Sequence, residues 1–251
     1  MKSFIKQLCH KFGYDIVKYN PPNTVTMYPP DLSEDEIDII NRVRPFTMTR
    51  IERIVALIRA IKYLLKANIP GDIAECGVWR GGSMMAVALT LLQAGENSRQ
   101  LFLYDTFKGM PAPLPEDKYY DGRSASAMLA SIPKDTGIWC YAGIDEVKKN
   151  LLSTGYPENN LHFFMGRIED TIPNRETTSL SLLRIDTDWY ESTKHGLYHL
   201  YPILNHKGIL ILDDYGCWQG AKLATDEYFK SQGISVFLNR IDYSGRLIIK
   251  S

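Results

Sequence analysis

Two stretches decide how this chain folds: Leu182-Leu183-Arg184-Ile185-Asp186-Thr187-Asp188 and Gly208-Ile209-Leu210-Ile211-Leu212-Asp213-Asp214. Each begins with a short apolar run, which is typical of a buried strand in a parallel sheet. Each ends in a pair of acidic residues. Because ligands bind beyond the carboxyl ends of the strands in an open parallel sheet, we expect the four carboxylates to share one edge of one sheet.

Four carboxylates at one edge predict a metal site. Like charges held close together cost stability unless a cation joins them. A hard divalent cation with oxygen ligands resolves that repulsion, and the ligand type favours Mg²⁺. The alternative is that both acidic pairs are solvated surface residues.

Length and composition limit the class of protein. A chain of 251 residues can bury one large α/β core. Lys plus Arg and Asp plus Glu each number 29, so no net charge favours nucleic acid or an anionic membrane as a partner. The four cysteines show no CxxC spacing, which is typical of reduced thiols. No run approaches the roughly 20 apolar residues of a membrane span, and no signal peptide is recognised. We predict a cytoplasmic protein.

Residues 1–45 form a predicted N-terminal helical and extended segment. Met1–Ile16 has the apolar spacing of a helix with lysines between, which suits a weak contact with a membrane surface or a partner, or a helix packed on the protein's own body. Pro21-Pro22 and Pro29-Pro30 indicate an extended connector. Ser33 and Glu36 have the spacing of a capping box that starts a short helix.

Residues 46–251 show the alternation of a doubly wound, Rossmann-like sheet with helices on both faces. A helix capped by Thr49 leads into the first strand. Seven strands are predicted, at residues 73–76, 101–104, 161–164, 182–185, 209–212, 235–238 and 246–250. Since the turn 239–245 is too short for a helical crossover, the final strand must be antiparallel.

A long insertion separates the second and third strands. About 55 residues lie between them, far more than an ordinary loop needs. Residues 107–150 are interpreted either as a lid over the substrate or as an additional helix pair.

The segment Glu75–Ser83 is a glycine turn between the first strand and its helix. It lacks the GxGxxG pattern of dinucleotide binding and the GK[ST] ending of a phosphate loop. An acid at the end of the strand suits a cationic amine, as in S-adenosylmethionine, and Asp105 is placed to accept the ribose hydroxyls. The predicted cofactor-binding residues are Glu75, Cys76, Gly77, Gly81, Ser83, Asp105, Thr106, Ile168, Asp170 and Asp186.

Four runs of the chain resemble the macrocin O-methyltransferase family: GDIAECGVWRGGS (71–83), LFLYDTFKGMPAP (101–113), LLRIDTDWYESTKHGLYHLYPIL (182–204) and GILILDDYGCWQGAK (208–222). The resemblance spans about Thr47 to Lys230. It implies a class I methyltransferase fold and metal-dependent methylation of sugar hydroxyls, as in macrolide and aminocoumarin tailoring.

The resemblance also implies roles for individual residues. It assigns Asp186, Asp213 and Asp214 to the metal and Asp188 to the general base, and it suggests that residues 47–49 close over the active site. From the residues alone the division among the four carboxylates stays open, and Asp186 and Asp188 can be exchanged.

Further residues are predicted around the ligands. Ile168 is expected against the adenine, and Asp170 either meets its amine or caps the next turn. Aromatic rings stack on sugar faces, so Tyr190, Tyr215 and Trp218 are predicted to line the acceptor pocket unless they are core residues. His195 is placed near the metal or substrate, with a structural role as the alternative.

The sequence therefore predicts an Mg²⁺-dependent, S-adenosylmethionine-dependent O-methyltransferase that acts on a sugar hydroxyl of a glycan or glycosylated natural product. Two alternatives stay open: a metal-dependent glycosyltransferase that uses the DxD pair, and a non-catalytic scaffold of the same fold. The identity of the sugar, the hydroxyl and the oligomeric state, a homo-oligomer included, are not determined by the sequence.

Overall fold

A computed structural model describes residues 28–131 and 139–251 of the chain. The predicted amphipathic helix Met1–Ile16, with its proposed membrane or partner contact, lies outside the described residues, as do residues 132–138 of the insertion. The chain divides into two compact units, residues 1–37 and 38–251. Within the described ranges, no helix is both long enough and apolar enough to cross a membrane.

The described part of the first unit contains the predicted capping box. The Ser33 N–H donates to Oε2 of Glu36 at 3.0 Å, and the Glu36 N–H donates to the Ser33 hydroxyl at 3.3 Å. These two bonds satisfy backbone donors that the start of a helix leaves free. Helix α1, Glu34–Val43, begins at this point.

Eight helices and seven strands are found in the described residues. The further helices are α2 Ile51–Lys66, α3 Gly82–Gln93, α4 Ala125–Ala130, α5 Ile144–Leu152, α6 Ile168–Thr171, α7 Tyr190–Leu200 and α8 Gln219–Ser231. The strands are β1 Asp72–Cys76, β2 Leu101–Asp105, β3 Leu161–Met165, β4 Leu180–Ile185, β5 Leu204–Leu212, β6 Asn239–Arg240 and β7 Arg246–Ile249. Short 3₁₀ turns lie at Arg44–Phe46 and Glu158–Asn160.

The strands form one mixed sheet in the order β3-β2-β1-β4-β5-β7-β6. Strands β1 to β5 are parallel, and β7 is antiparallel to both β5 and β6. The strand order reverses at β1, so β1 and β4 lie side by side at the topological switch point. This confirms the predicted doubly wound sheet with its antiparallel final strand.

Two local predictions about secondary structure are wrong. Residues 235–238 are not a strand; the sixth strand is Asn239–Arg240. The apolar residues Ile234, Val236 and Leu238 alternate with their neighbours because they pack against the core. This segment nevertheless forms no strand of the sheet. Thr49 does not cap α2: the N-cap is Arg50, with no side-chain cap bond, and the Thr49 hydroxyl instead accepts a bond from Arg184 at 3.1 Å.

The core explains why β4 and β5 read as continuous apolar runs. Every residue of β4 is buried, since helices cover both faces of the central strands. Helix α7 packs against α8, and α2 packs against α3. The insertion between β2 and β3 contributes α4 and α5, and Ala125 and Leu129 of α4 pack with Trp189 in a separate small cluster.

Candidate active site

A cavity of about 490 Å³ opens at the carboxyl ends of the parallel strands. Its volume lies in the range of small-molecule sites. At one end, the glycine-turn end, it is lined by Gly77, Val78, Trp79, Ser83, Asp105 and Thr106. At the other, the acidic end, it is lined by Asp186, Asp188, Asp213 and Asp214. Further walls come from the insertion, residues 46–49, residues 166–169 after β3 and the β6–β7 hairpin.

Gly77 joins the two ends of the cavity. Its φ is +85°, and a Cβ at this position would lie 1.8 Å from the Asp186 carbonyl oxygen. Any other residue would push the turn away from the end of β4. The glycine therefore serves the packing of the turn against the acidic pair as well as the approach of a ligand.

Asp105, at the end of β2, holds the glycine turn through backbone bonds. Its Oδ2 accepts the N–H groups of Val78 at 2.6 Å and Trp79 at 3.0 Å. Its Oδ1 accepts the N–H of Phe107 at 2.7 Å. A carboxylate offers about four lone-pair positions, so this side chain can still accept a ligand hydroxyl.

Three of the four predicted acids form a tight cluster. Asp186, Asp213 and Asp214 each offer a carboxylate oxygen, and these oxygens lie within 4.8 Å of one another. Asp188 stands beside them: its N–H donates to Oδ2 of Asp214 at 3.0 Å. Asp188 is therefore a neighbour of the three-carboxylate cluster and not one of its members.

Asp188 has an unusual backbone conformation. Its φ is +61°, and the N–H of Trp189 bonds to the carbonyl of Thr187 at 2.7 Å across it. A non-glycine residue with positive φ in so tight a turn is strained, and such strain concentrates at functional sites. The turn sends the chain from β4 into α7 and leaves Asp188 in the wall of the cavity.

Two buried arginines form ion pairs with the acidic cluster. Arg184, in β4, contacts Glu75, lies 2.8 Å from Asp186 and lies 2.6 Å from Asp213. Arg53, in α2, contacts the other oxygen of Asp213 and pairs with Asp242 at 3.0 Å. The carboxylates at this end still outnumber the two guanidinium groups.

Burial, with the neighbouring carboxylates, raises the pKa values of Asp186, Asp188 and Asp214. Burial raises the pKa of Asp214 well above its usual range, and the neighbouring Asp188, Asp186 and Asp213 raise it further. Burial likewise raises the pKa values of Asp186 and Asp188; Arg184 opposes the shift at Asp186. Carboxyls that share a site resist full ionisation, and a bound cation would relieve that resistance.

The cavity lining contains most of the predicted site residues. These are Gly77, Ser83, Asp105, Thr106, Ile168, Asp186, Asp188, Asp213, Asp214 and Trp218, together with the segment 47–49. Seven predicted residues do not line it: Glu75, Cys76, Gly81, Asp170, Tyr190, His195 and Tyr215.

Glu75 has a different partner from the predicted one. Its side chain is fully buried and its carboxylate contacts Arg184, which lies opposite it on the neighbouring strand. Burial raises the pKa of Glu75 to about 8, although Arg184 lowers it. This carboxylate therefore does not face the cavity in which a cationic amine would lie.

The predicted aromatic and histidine residues also turn elsewhere. The Tyr190 hydroxyl donates to Glu227 at 2.6 Å, and that of Tyr215 donates to Asp226 at 2.8 Å. His195 donates through Nε2 to the Ile172 carbonyl at 2.7 Å. None of these three side chains lines the cavity, because the direction of a side chain in a helix or a loop depends on packing that the sequence did not reveal.

Sequence reasoning missed Arg53, Arg184 and Tyr243, all of which line the cavity. Arg184 carried a signal, since a charge inside a buried apolar run needs a buried partner. Glu75 occupies the same kind of run one strand away. Arg53 and Tyr243 lie on an amphipathic helix and in a hairpin, where nothing in the sequence distinguished them from surface residues.

Comparison with known proteins identifies relatives across most of the chain. A sequence model of the family described as macrocin-O-methyltransferase (TylF) matches residues 31–249. Demethyldecarbamoylnovobiocin O-methyltransferase of Streptomyces niveus is 31% identical over 199 residues, 79% of this chain and 73% of that protein. Mycinamicin III 3''-O-methyltransferase of Micromonospora griseorubida is 30% identical over 199 residues, 79% of this chain and 76% of that protein. The solved structure of the O-methyltransferase NovP superposes with a TM-score of 0.73 at 29% identity and covers 82% of each chain.

Proposed function

The chain belongs to the macrocin-O-methyltransferase family, and we propose that it transfers the methyl group of S-adenosylmethionine to a sugar hydroxyl with the help of Mg²⁺. One observation carries the proposal: the three-carboxylate cluster, with Asp188 beside it, shares a single cavity with the glycine turn. Family membership argues against the glycosyltransferase and scaffold alternatives.

The acidic end fits a hard divalent cation. It offers oxygen ligands alone, Asp213 and Asp214 are buried, and the carboxylates outnumber the nearby arginines, so a cation would remove the repulsion between them. Asp186 and Asp214 would contribute the freer oxygens, since both oxygens of Asp213 already contact arginines. When bound, Mg²⁺ would lower the pKa of an acceptor hydroxyl and orient it.

The glycine-turn end fits S-adenosylmethionine. Ser83 lies in the first turn of α3 and lines this end, and the start of a helix leaves backbone N–H groups that can bind a carboxylate. Asp105 would accept ribose hydroxyls while it holds the turn, and Ile168 would cover the adenine. The predicted contact between Glu75 and the ammonium is not part of this proposal, because Glu75 is paired with Arg184.

Asp188 is the proposed general base. It lines the acidic end of the cavity beside the three-carboxylate cluster, of which it is not a member. Asp188 is half-buried, and a carboxylate with a raised pKa accepts a proton more readily near neutral pH than an ordinary exposed aspartate does. Its fixed turn would hold it against the hydroxyl while the sulfonium methyl is attacked in line.

The acceptor would enter at the acidic end. Trp218 and Tyr243 line this part of the cavity, and Met48, 53% exposed, lies in the segment that borders it. Trp218 packs edge-on against Trp189 with ring centroids 5.0 Å apart, which fixes its plane. Rings held in this way suit the face of a sugar. The named relatives suggest a sugar carried on a small natural product as the acceptor class.

The test is methyl transfer from radiolabelled S-adenosylmethionine to a panel of glycosylated acceptors, with Mg²⁺ and with EDTA. We expect transfer with Mg²⁺ and its loss in EDTA. Asp214→Asn should weaken Mg²⁺ binding at least about tenfold in titration calorimetry, because one of three charged ligands is lost. Asp121→Asn, an exposed acid of the insertion, is the matched control. Undiminished transfer in EDTA would overturn the metal role.

A further inference from the structure

Asp117 is a buried acid that the chemistry above does not use. It lies in the insertion between β2 and β3, yet its side chain is only 1% exposed. Its Oδ1 accepts the N–H of Tyr190 at 2.8 Å, and its Oδ2 accepts the N–H of Leu114 at 2.7 Å. An aspartate buried in a loop with both oxygens bound to backbone donors has a specific structural task.

The first of these bonds caps helix α7. Tyr190 is the first residue of α7, and its N–H is one that the helix itself cannot satisfy. The N-cap residue, Trp189, makes no side-chain cap bond. Asp117 therefore supplies from a distant segment the acceptor that the local sequence lacks, and its negative charge suits the positive end of the helix.

The start of α8 is shaped to admit the same carboxylate. A Cβ at Gly220 would lie 2.1 Å from Oδ1 of Asp117 and 3.1 Å from the Tyr190 nitrogen. The backbone carbonyl of the next residue, Lys118, accepts the N–H of Gln219, the first residue of α8, at 2.8 Å. One loop thus holds the starts of both helices that follow the acidic pairs.

The insertion also bonds to Trp189, the N-cap residue of α7. The indole N–H of Trp189 donates to the carbonyl of Pro111 at 3.0 Å. Asp188 lies directly before this doubly held segment and keeps a strained, positive φ. Such a conformation persists only where surrounding contacts determine it.

We propose that Asp117 is a positioning residue: by capping α7 it holds the turn of Asp188 so that this carboxylate faces the reacting hydroxyl. The inference rests on the proposed function of Asp188 as the base. It also assigns Pro111, Asp117 and Lys118 of the insertion to the frame of the active site.

The experiment compares Asp117→Asn, Asp117→Ala and Gly220→Ala with two controls. Asp121→Asn changes an exposed acid of the same insertion, and Gly143→Ala adds a Cβ with nothing within 4 Å. We expect kcat to fall about 10- to 100-fold in Asp117→Ala and Gly220→Ala, since a small misplacement of a reacting group has effects of this size. Asp117→Asn should lie between them and the wild type, because its amide oxygen can still accept the Tyr190 N–H.

A positioning role predicts that kcat falls while the binding of S-adenosylmethionine is unchanged. S-adenosylmethionine should bind with unchanged stoichiometry and a dissociation constant within about twofold of wild type, because the glycine-turn end is untouched. A wild-type kcat in folded Asp117→Ala and Gly220→Ala, or equal loss of cofactor-binding stoichiometry and kcat, would overturn the proposal.

A second readout is independent of turnover. Hydrogen exchange of the Tyr190 amide should be at least about tenfold faster in Asp117→Ala than in the wild type, while the Asp121→Asn rate stays unchanged. An unchanged Tyr190 rate would overturn the capping role. If the wild type transfers no methyl group but Tyr190 is deprotected in the variant, the capping is upheld and the proposed function of the site has failed.

Discussion

The two ends of the cavity are held together in opposite ways. At the glycine-turn end, the carboxylate of Asp105 accepts three backbone N–H groups, so its charge is satisfied by the fold. At the acidic end, two arginines face a larger number of buried carboxylates whose pKa values are raised. The carboxylate of the first end is satisfied by backbone donors as the chain folds, whereas the second end keeps more carboxylates than guanidinium groups.

This difference indicates which end of the cavity must change its charge when a ligand binds. A site that backbone bonds have already satisfied binds by shape and by its remaining lone pairs, with little change in protonation. A site with excess buried charge must take up protons or a cation. The molecule therefore places a glycine turn whose contacts are already satisfied beside an acidic cluster with excess negative charge, and Gly77 connects them through its close approach to Asp186.

The largest expected effect at the acidic end comes from removal of the proposed base, Asp188. Asp188→Asn should lower kcat by about 10²- to 10⁴-fold, because the amide cannot take the proton, while the carboxylate cluster remains. Steady-state kinetics and Mg²⁺ titration of the same preparation measure both effects. A variant with wild-type kcat, or one that loses metal binding as well, would exchange the roles of Asp186 and Asp188.

The next largest effect concerns the arginine under the cluster. Arg184→Met should lower the free energy of unfolding by about 3–5 kcal/mol, because Glu75, Asp186 and Asp213 lose their shared buried counter-charge. Urea denaturation measures it. The control is Arg123→Met, an exposed arginine paired with Asp121 at 2.8 Å, for which we expect no measurable change. Equal stability of the two variants would mean that the buried pairs are unimportant.

The glycine-turn end is tested by a matched pair of acids. Asp105→Asn should raise the dissociation constant for S-adenosylmethionine about tenfold. One carboxylate oxygen becomes an amide NH₂ group, which cannot accept the backbone N–H groups of the turn. Glu75→Gln should change it less than about threefold, because Glu75 lies outside the cavity. Isothermal titration without metal separates them. A larger effect at Glu75 would restore the predicted contact with the ammonium.

The smallest effect is a pH dependence of stabilisation by metal. Burial raises the pKa of Asp186 to about 6 and that of Asp188 to about 7. The folded chain then binds protons more tightly than the unfolded chain, so its metal-free stability falls as pH rises through this range. Mg²⁺ should raise Tm by several degrees more at pH 8 than at pH 6. Thermal unfolding in Mg²⁺ and in EDTA measures this, and equal shifts at both pH values would contradict it.

Much of the site followed from strand ends alone. Asp105, Asp186, Asp213 and Asp214 were predicted together because apolar runs mark buried strands and the residues after parallel strands meet at one edge, and all four line one cavity. Tyr190, His195 and Tyr215 lie outside that lining and bond elsewhere, because tertiary packing sets the direction of a side chain on a helix or in a loop. The roles of all seven residues stay predictions.

The sequence by itself determined the order of strands and helices, the antiparallel final pair and the acids at the sheet edge, since these depend on local periodicity and on loop lengths. Only the tertiary structure decided the partners. It paired Glu75 with Arg184 across two strands, brought Arg53 from α2 to Asp213, and set Asp117 on the first turn of α7. The reason is that buried charges and free helix donors must find partners within a few ångströms, and distant segments supply them only after the chain has packed.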